Sequence, residues 1–417
     1  MRGSVVRTAA GPDSGRVSPR WLLGSAVVTR VVAVVGGGQL ARMMAPAALA
    51  LGIELRVLVE GPTTSAAQVV RDAPVGVPRE PGAVLDLVAG PPAADVLTFE
   101  HEHIPAEVLA QVVGTGVPVR PAPAALVHAQ DKLVMRAALG ALGVPGPRWA
   151  PVADAAALDA FIAQVGGEAV VKTARGGYDG KGVRVVRAAA EVAEWFAAAR
   201  IGGSALIAEA KVPFVRELAV LVARRPSGEV RTWPVVETVQ VDGVCSEVLA
   251  PAPGLDPRVE AAAIEAALLV AEGLDVTGVL AVEMFEVAPD PDGSAGLGGV
   301  LVNELAMRPH NSGHWTIDGS VTSQFEQHLR AVLDLPLGDP TARSRWSVMA
   351  NVLGSSLERL TDALPQVLAA DPAAHVHLYG KEVRPGRKLG HVTVCGDDLD
   401  DVRARARAAA ALLRGDG

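Results

Sequence analysis

The chain has 417 residues, of which 50% are hydrophobic and 20% charged, and a net charge of −8. That length holds two or three domains, each able to bury its own core. Acidity without a basic run excludes nucleic acid as a partner. No stretch reaches the about 20 apolar residues that a bilayer span needs, and two distant cysteines, Cys245 and Cys395, suit a reducing cytoplasm.

Residues 1–30 are expected to be a disordered extension, or a start assigned too far upstream, because the first clear strand begins at Val31. Val31–Val35 is a continuous β-branched run, as a buried parallel strand requires. Gly36-Gly37-Gly38-Gln39-Leu40-Ala41 then satisfies G-x-G-x-x-A ahead of a helix from Gln39 to Leu51, and Glu60 closes the next strand, Leu55–Val59. This is a dinucleotide fingerprint, yet its physics serves any phosphate. Further strands are predicted at Asp95–Phe99 and Val117–Val119, giving an open α/β sheet up to Pro121–Pro123. Glu100-His101-Glu102-His103 leaves the strand Asp95–Phe99 at its carboxyl end, where α/β sheets bind ligands. It is not a zinc helix, because the second histidine comes too soon and Pro105 blocks the helix.

A single helix is predicted over Ala124–Leu142. From Ala169 the pattern becomes antiparallel, with strands at 169–173, 182–187, 204–210, 216–224, 230–240, 277–287 and 298–307, and helices near 188–199 and 257–273. Lys172 ends the first of these strands. The segment Gly176-Gly177-Tyr178-Asp179-Gly180-Lys181-Gly182 follows, and its four glycines suit a lid of backbone donors over a triphosphate. The apolar strand 205–212 ends in Glu209-Ala210-Lys211-Val212, which with Glu217 suits a purine edge and a ribose.

Glu283 and Glu304 stand in apolar strands predicted to pair as a hairpin, where an unpaired carboxylate is costly. Magnesium would resolve that cost with oxygen ligands and shared phosphate oxygens. Asn303–Thr316, NELAMRPHNSGHWT, runs on from this pair into a loop with Arg308, His310, Asn311 and His314, a composition suited to a cation, an anion and a small substrate. An amphipathic helix over Gln324–Leu333, a linker at 335–343, strands near 346–353, 375–379 and 391–395, and a helix over 398–414 complete the chain.

The strings GGGQLARM, TFEHEHIP, QDKLVMR, GGYDGKG, EAKVPFVRE, NELAMRPHNSGHWT, SQFEQHLRA and KEVRPGRKLGH together resemble the ATP-grasp ligases, most closely the 5-(carboxyamino)imidazole ribonucleotide synthases. The resemblance spans Val31 to Gly396. It implies α/β and α+β architecture: an ATP-grasp fold with a Rossmann-like N-terminal domain at 31–123, an ATP-grasp domain at 124–334 with a lid subdomain at about 145–212, and a small β-rich C-terminal domain at 344–414.

The implied reaction is ATP-dependent carboxylation of 5-aminoimidazole ribonucleotide with bicarbonate, through carboxyphosphate, by a cytoplasmic homodimer. Residue by residue, Lys132 and Lys172 would contact the ATP phosphates under the lid Gly176–Gly182. Glu209, Ala210, Lys211 and Val212 would hold the adenine and Glu217 the ribose. Glu283 and Glu304, helped by Asn303, would hold two magnesium ions. Lys181, Arg308, His310 and Asn311 would line the bicarbonate pocket. Gln39, Leu40, Lys381, Arg384, Arg387 and Lys388 would gather the ribonucleotide, with Glu100 beside it and Tyr178 and Asp179 over its base.

Gln240 stands where relatives often carry histidine, which puts an ATP contact there in question. Three rivals remain at this point: another ATP-grasp enzyme with a different acceptor, a dehydrogenase resting on GGGQLA and Glu60, and a catalytically dead binding protein.

Overall fold

A computed structural model describes residues 29–176, 182–288 and 298–416. Three parallel strands, β1 (Val31–Val35), β2 (Glu54–Leu58) and β3 (Val96–Phe99), form the first sheet in the order β2-β1-β3. Every residue of β1 is fully buried, as its unbroken apolar run requires. The expected strand at Val117–Val119 is instead one isolated bridge, Leu97 to Val119. Pro118 explains the shortfall: its carbonyl accepts from the Leu97 N–H, but it has no N–H to return.

The predicted helix over 124–142 is two helices, Pro123–Gln130 and Lys132–Ala141. Asp131 breaks it in an extended conformation, and its carboxylate accepts from the N–H groups of Leu133 and Val134. The break sets Lys132 at the first turn of the second helix, and the Lys132 N–H donates to Ala174 O.

A four-stranded antiparallel sheet follows, from β4 (Trp149–Val152), β5 (Ala169–Thr173), β6 (Val183–Val186) and β7 (Leu206–Ala210), in the order β4-β7-β5-β6. The largest sheet holds β8 (Phe214–Arg224), β9 (Val230–Thr232), β10 (Val236–Val241), β11 (Val244–Ala250), β12 (Gly278–Val287), β13 (Val300–Ala306), β14 (Trp346–Leu353), β15 (His375–Leu378) and β16 (Lys388–Gly396). Its order is β13-β12-β8-β10-β11-β14-β16-β15, with β9 paired to β8. Two details were not anticipated. The strand predicted over 230–240 is interrupted at Trp233-Pro234-Val235, and β11 was absent from the sequence reading. Pairing of β11 with β14 then joins the C-terminal strands to the central sheet without a gap.

The helix Gln324–Val332 ties the three-stranded sheet to the largest one. Phe325, Leu329 and Val332 join the core on the β1 sheet, while buried His328 bonds Thr98 Oγ1 at 2.8 Å and accepts from the Val279 N–H. Among the described residues no helix is long and apolar enough to cross a membrane.

Candidate active site

Two cations and one carboxylate converge where β5, β7 and the helix Lys132–Ala141 meet. Glu209 Oε1 accepts from Arg136 Nε at 2.7 Å, and Lys172 Nζ lies 2.8 Å from Glu209 Oε2. Burial by itself would raise the Glu209 carboxyl; Lys172 and Arg136 outweigh it and hold the group below the usual carboxylate range. Arg136 also donates to the carbonyls of Val302 and Asn303, at 2.8 and 2.7 Å, and Lys172 reaches Asn303 Oδ1 at 3.2 Å.

Arg136 therefore links helix, hinge and β13, and the sequence reading missed it. Its signal was present: an arginine four residues after Lys132, on the otherwise apolar side of a helix. The Glu209 carboxylate is committed to these cations. Lys211 turns its ammonium to Glu168 at 3.0 Å. Glu217, raised by burial, hydrogen-bonds the side chain of Gln240, the residue that departs from the resemblance.

Glu283 and Glu304 face each other across β12 and β13. A bulge at this point makes Asn303 the extra residue, because Met284 already pairs with Val302. Burial first, then Glu304 and Glu217, drives the Glu283 carboxyl up to about 8. That is the signature of a carboxylate pair short of positive charge. Lys132 Nζ sits 3.0 Å from Glu304 Oε1. Among the described residues no group of three or more His, Cys, Asp or Glu side chains could hold a metal by itself. Two carboxylates with an amide oxygen nearby fit magnesium, which keeps waters and phosphate oxygens as its other ligands.

Past Met307 the chain turns from the metal pair to a different set of groups. Arg308 Nε lies 2.9 Å from Glu102 Oε1, which gives the second acid of the EHEH segment a role as counter-ion. His310 Nε2 lies 3.4 Å from Glu283 Oε1. The buried Asn311 amide meets the Cys245 thiol, and among the described residues its two polar atoms have no other hydrogen-bond partner. Lys388, at the start of β16, acts electrostatically on Glu283, His310 and Cys245, so the C-terminal cluster reaches this pocket.

The glycine loop meets that cluster from the other side. Ser65 Oγ donates to Tyr379 O and Gln68 Nε2 to Gly380 O, each at 2.6 Å. This anchoring brings the Lys381 ammonium onto Gln39 Oε1. Leu40 packs into the core, so any ligand contact it makes is through its backbone. Arg384 pairs with Glu382 at 2.6 Å on the surface, and Arg387 donates to Glu382 O at 3.2 Å.

The Gly38 N–H, at the start of the helix, donates to the Glu100 carboxylate. A Cβ on Gly38 would lie 1.8 Å from Glu100 Oε1, so a larger residue would displace the carboxylate. Burial raises Glu100 to about 7 against the pull of the Gly38 N–H and Lys381. A pyrophosphate at this helix start would meet a carboxylate, which counts against the dinucleotide reading. Gly177, Tyr178, Asp179, Gly180 and Lys181 of the predicted lid lie outside the described residues.

Four histidines, three fully buried and His310 with its side chain 18% exposed, give the fold a pH dependence. Burial holds His328 at about 3 and pushes His310, His314 and His391 well below the ordinary value. A depressed folded pKa contributes stability that is present above the unfolded value of about 6.5 and is lost as pH falls below it. Glu283 and Glu100, raised to about 8 and about 7, work in the opposite sense. The histidines outnumber the carboxyls, so the net effect is a loss of stability as pH falls. The urea midpoint of the metal-free protein is therefore expected to fall as pH drops from about 6.5 to 5. A flat midpoint over that range would contradict neutral burial.

Two lysines, a buried carboxylate on β7 and a carboxylate couple on β12 and β13, brought together from a helix and two antiparallel sheets, define an ATP-grasp enzyme. Residues 137–325 match the ATP-grasp domain, residues 29–130 the ribonucleotide synthetase preATP-grasp domain, and residues 347–405 the phosphoribosylaminoimidazole carboxylase C-terminal domain. The N5-carboxyaminoimidazole ribonucleotide synthase of Mycobacterium tuberculosis is 51% identical over 389 residues, covering 93% of this chain and 88% of that one. A Thermus thermophilus N5-carboxyaminoimidazole ribonucleotide synthetase structure superposes with a TM-score of 0.79 at 39% identity, covering 92% of this chain and 98% of that one. The Aspergillus clavatus N5-carboxyaminoimidazole synthase, solved with ADP and 5-aminoimidazole ribonucleotide, gives 0.80 at 31% identity, with 92% and 98% covered. The chain belongs to the N5-carboxyaminoimidazole ribonucleotide synthase family.

Proposed function

We propose that the protein carboxylates the exocyclic amine of 5-aminoimidazole ribonucleotide with bicarbonate, cleaving ATP to ADP and phosphate. One observation carries this reading: His310, in the acceptor loop, lies 3.4 Å from Glu283 of the carboxylate pair, so the two half-sites share a border. Lys132 and Lys172 take the ATP phosphates, the chain from Ala210 to Val212 the adenine, and Glu217 the ribose. Two magnesium ions held by Glu283 and Glu304, with Asn303 beside them, would supply charge neutralisation and in-line alignment of the phosphoryl transfer.

Arg308 is in charge balance with Glu102 and offers a fixed cation to bicarbonate. Asn311 offers to the same anion a buried amide whose one partner among the described residues is the Cys245 thiol. A bicarbonate oxygen accepts the γ-phosphoryl group, giving carboxyphosphate, which then releases phosphate and CO2. The ribonucleotide amine attacks CO2, forming the N–C bond, and its proton passes to the released phosphate. Lys181 would join the bicarbonate pocket, with Tyr178 and Asp179 over the ribonucleotide base. A homodimer in the cytoplasm completes the proposal, and sedimentation equilibrium tests the dimer.

The deciding experiment measures ADP release with ATP, magnesium and bicarbonate, with and without 5-aminoimidazole ribonucleotide. Strict dependence on the ribonucleotide is expected; release driven by another acceptor would overturn the reading. Arg387→Ala is expected to raise the KM for the ribonucleotide about tenfold or more, the scale of one charged phosphate contact, and to leave the KM for ATP unchanged. Equal effects on both constants would remove the C-terminal turn from substrate binding.

A further inference from the structure

Gln324 is fully buried at the first position of the helix Gln324–Val332. Its backbone N–H donates to Thr316 Oγ1 at 2.9 Å, and that hydroxyl donates to Gly313 O at 2.6 Å. Its side chain reaches the acceptor loop. Oε1 accepts from the His310 N–H at 2.8 Å, Nε2 donates to His310 O at 2.8 Å, and Nε2 also lies 3.0 Å from His314 Nδ1. The amide orientation follows without ambiguity, because a backbone N–H only donates and a carbonyl only accepts. Nε2 is then the donor to His314, so that imidazole keeps its proton on Nε2.

The same logic applies to His310. Its Nδ1 accepts from the Ser312 N–H at 3.3 Å, with Ser312 Oγ at 2.9 Å. The proton of a neutral His310 therefore sits on Nε2, the nitrogen that faces Glu283. Gly313 supports the same arrangement from a second direction: a Cβ there would lie 2.5 Å from Gln324 Oε1 and 2.4 Å from Leu221 Cδ2. A larger residue at that position would displace the Gln324 amide or Leu221.

We propose that Gln324 is a positioning residue for the bicarbonate step, clamping both backbone polar groups of His310 so that its Nε2–H is presented to the pocket as a hydrogen-bond donor, not as a base. This rests on the reading that His310 lines the bicarbonate pocket. A donor in that place is matched to negative charge building on the bicarbonate oxygens as the phosphoryl group arrives. Gln324 itself touches no reacting atom; it acts through the loop.

A double-mutant cycle in steady-state turnover tests the clamp, with ATP, bicarbonate and ribonucleotide each varied. His310→Ala is expected to lower kcat/KM for bicarbonate, and Gln324→Leu to lower it by about ten- to a hundredfold, the scale of a misplaced pocket group. The double variant should be no worse than the stronger single variant, since the two residues act as one unit. The KM for ATP should stay within about twofold throughout, which a general loss of structure would not produce.

Where Gln324→Leu does not fold, Gln324→Glu keeps the volume and the acceptor while losing the donations, and Gly313→Ala displaces the amide from its other side. Both are expected to reproduce the bicarbonate-selective loss. Additive losses in the double variant, or equal losses toward ATP and bicarbonate, overturn the clamp while leaving His310 in the pocket. An unchanged bicarbonate dependence in His310→Ala overturns the underlying reading instead.

Discussion

Glu304→Gln is expected to reduce ADP formation by about a thousandfold while leaving the thermal midpoint unchanged or slightly higher. The two effects have separate physical origins. Glutamine keeps the shape of the side chain but removes a full negative charge from the pair proposed to face ATP and magnesium. Stability responds to a different balance. Glu304 loses its ion pair with Lys132, yet Glu304 is 43% exposed, so that contact is worth about 0.2–1 kcal/mol. Against this, Glu283 sheds a like-charged neighbour that now helps push its carboxyl up to about 8. Turnover and thermal melting on one preparation decide the matter. Near-normal ADP release would remove Glu304 from the chemistry, and a collapse in the melting temperature would make its role structural.

Arg136→Ala is expected to cost about 3–5 kcal/mol, the scale for removing one partner of a buried ion pair. The Arg136 and Glu209 side chains are 1% and 3% exposed, so solvent screens the pair very little. Removing the guanidinium leaves Glu209 with Lys172 alone and leaves the carbonyls of Val302 and Asn303 without these donors. Because Lys172 must then serve as the sole counter-ion of Glu209, its availability to ATP phosphate should fall and the KM for ATP should rise. Denaturant titration and ATP kinetics check the two parts. A shift below about 1 kcal/mol would mean that the strut carries none of the load assigned to it here.

Some of this was legible because the chemistry is local in the chain. Buried parallel strands announce themselves as unbroken apolar runs, and Val31–Val35 does so. Glu283 and Glu304 are conspicuous as acids in apolar strands separated by a turn-rich segment, and their pairing across β12 and β13 follows from that pattern. Elements that hang on a single interrupting residue were misread. Asp131 splits a helix by offering its side chain to the next turn, and Pro118 reduces a strand to one bridge. Neither effect has a periodicity to detect.

The sequence by itself determined the chemical inventory of the site: the lysines, the carboxylate pair, the glycine-rich segment, the Arg308–Asn311 loop and the basic turn. It also determined, through strings found together in one family, what that inventory serves. Only the tertiary structure decided how the charges are assigned. Glu209 is neutralised by Arg136 and Lys172, Arg308 by Glu102, and the Gly38 N–H is taken by Glu100. Only the fold, likewise, placed Gln324 against His310 and Lys381 against Gln39. The reason is physical. Which residue type is needed depends on bonding, which is local, whereas the partner of a buried charge depends on which distant strands and helices desolvate it together, and one-dimensional spacing does not encode that distance.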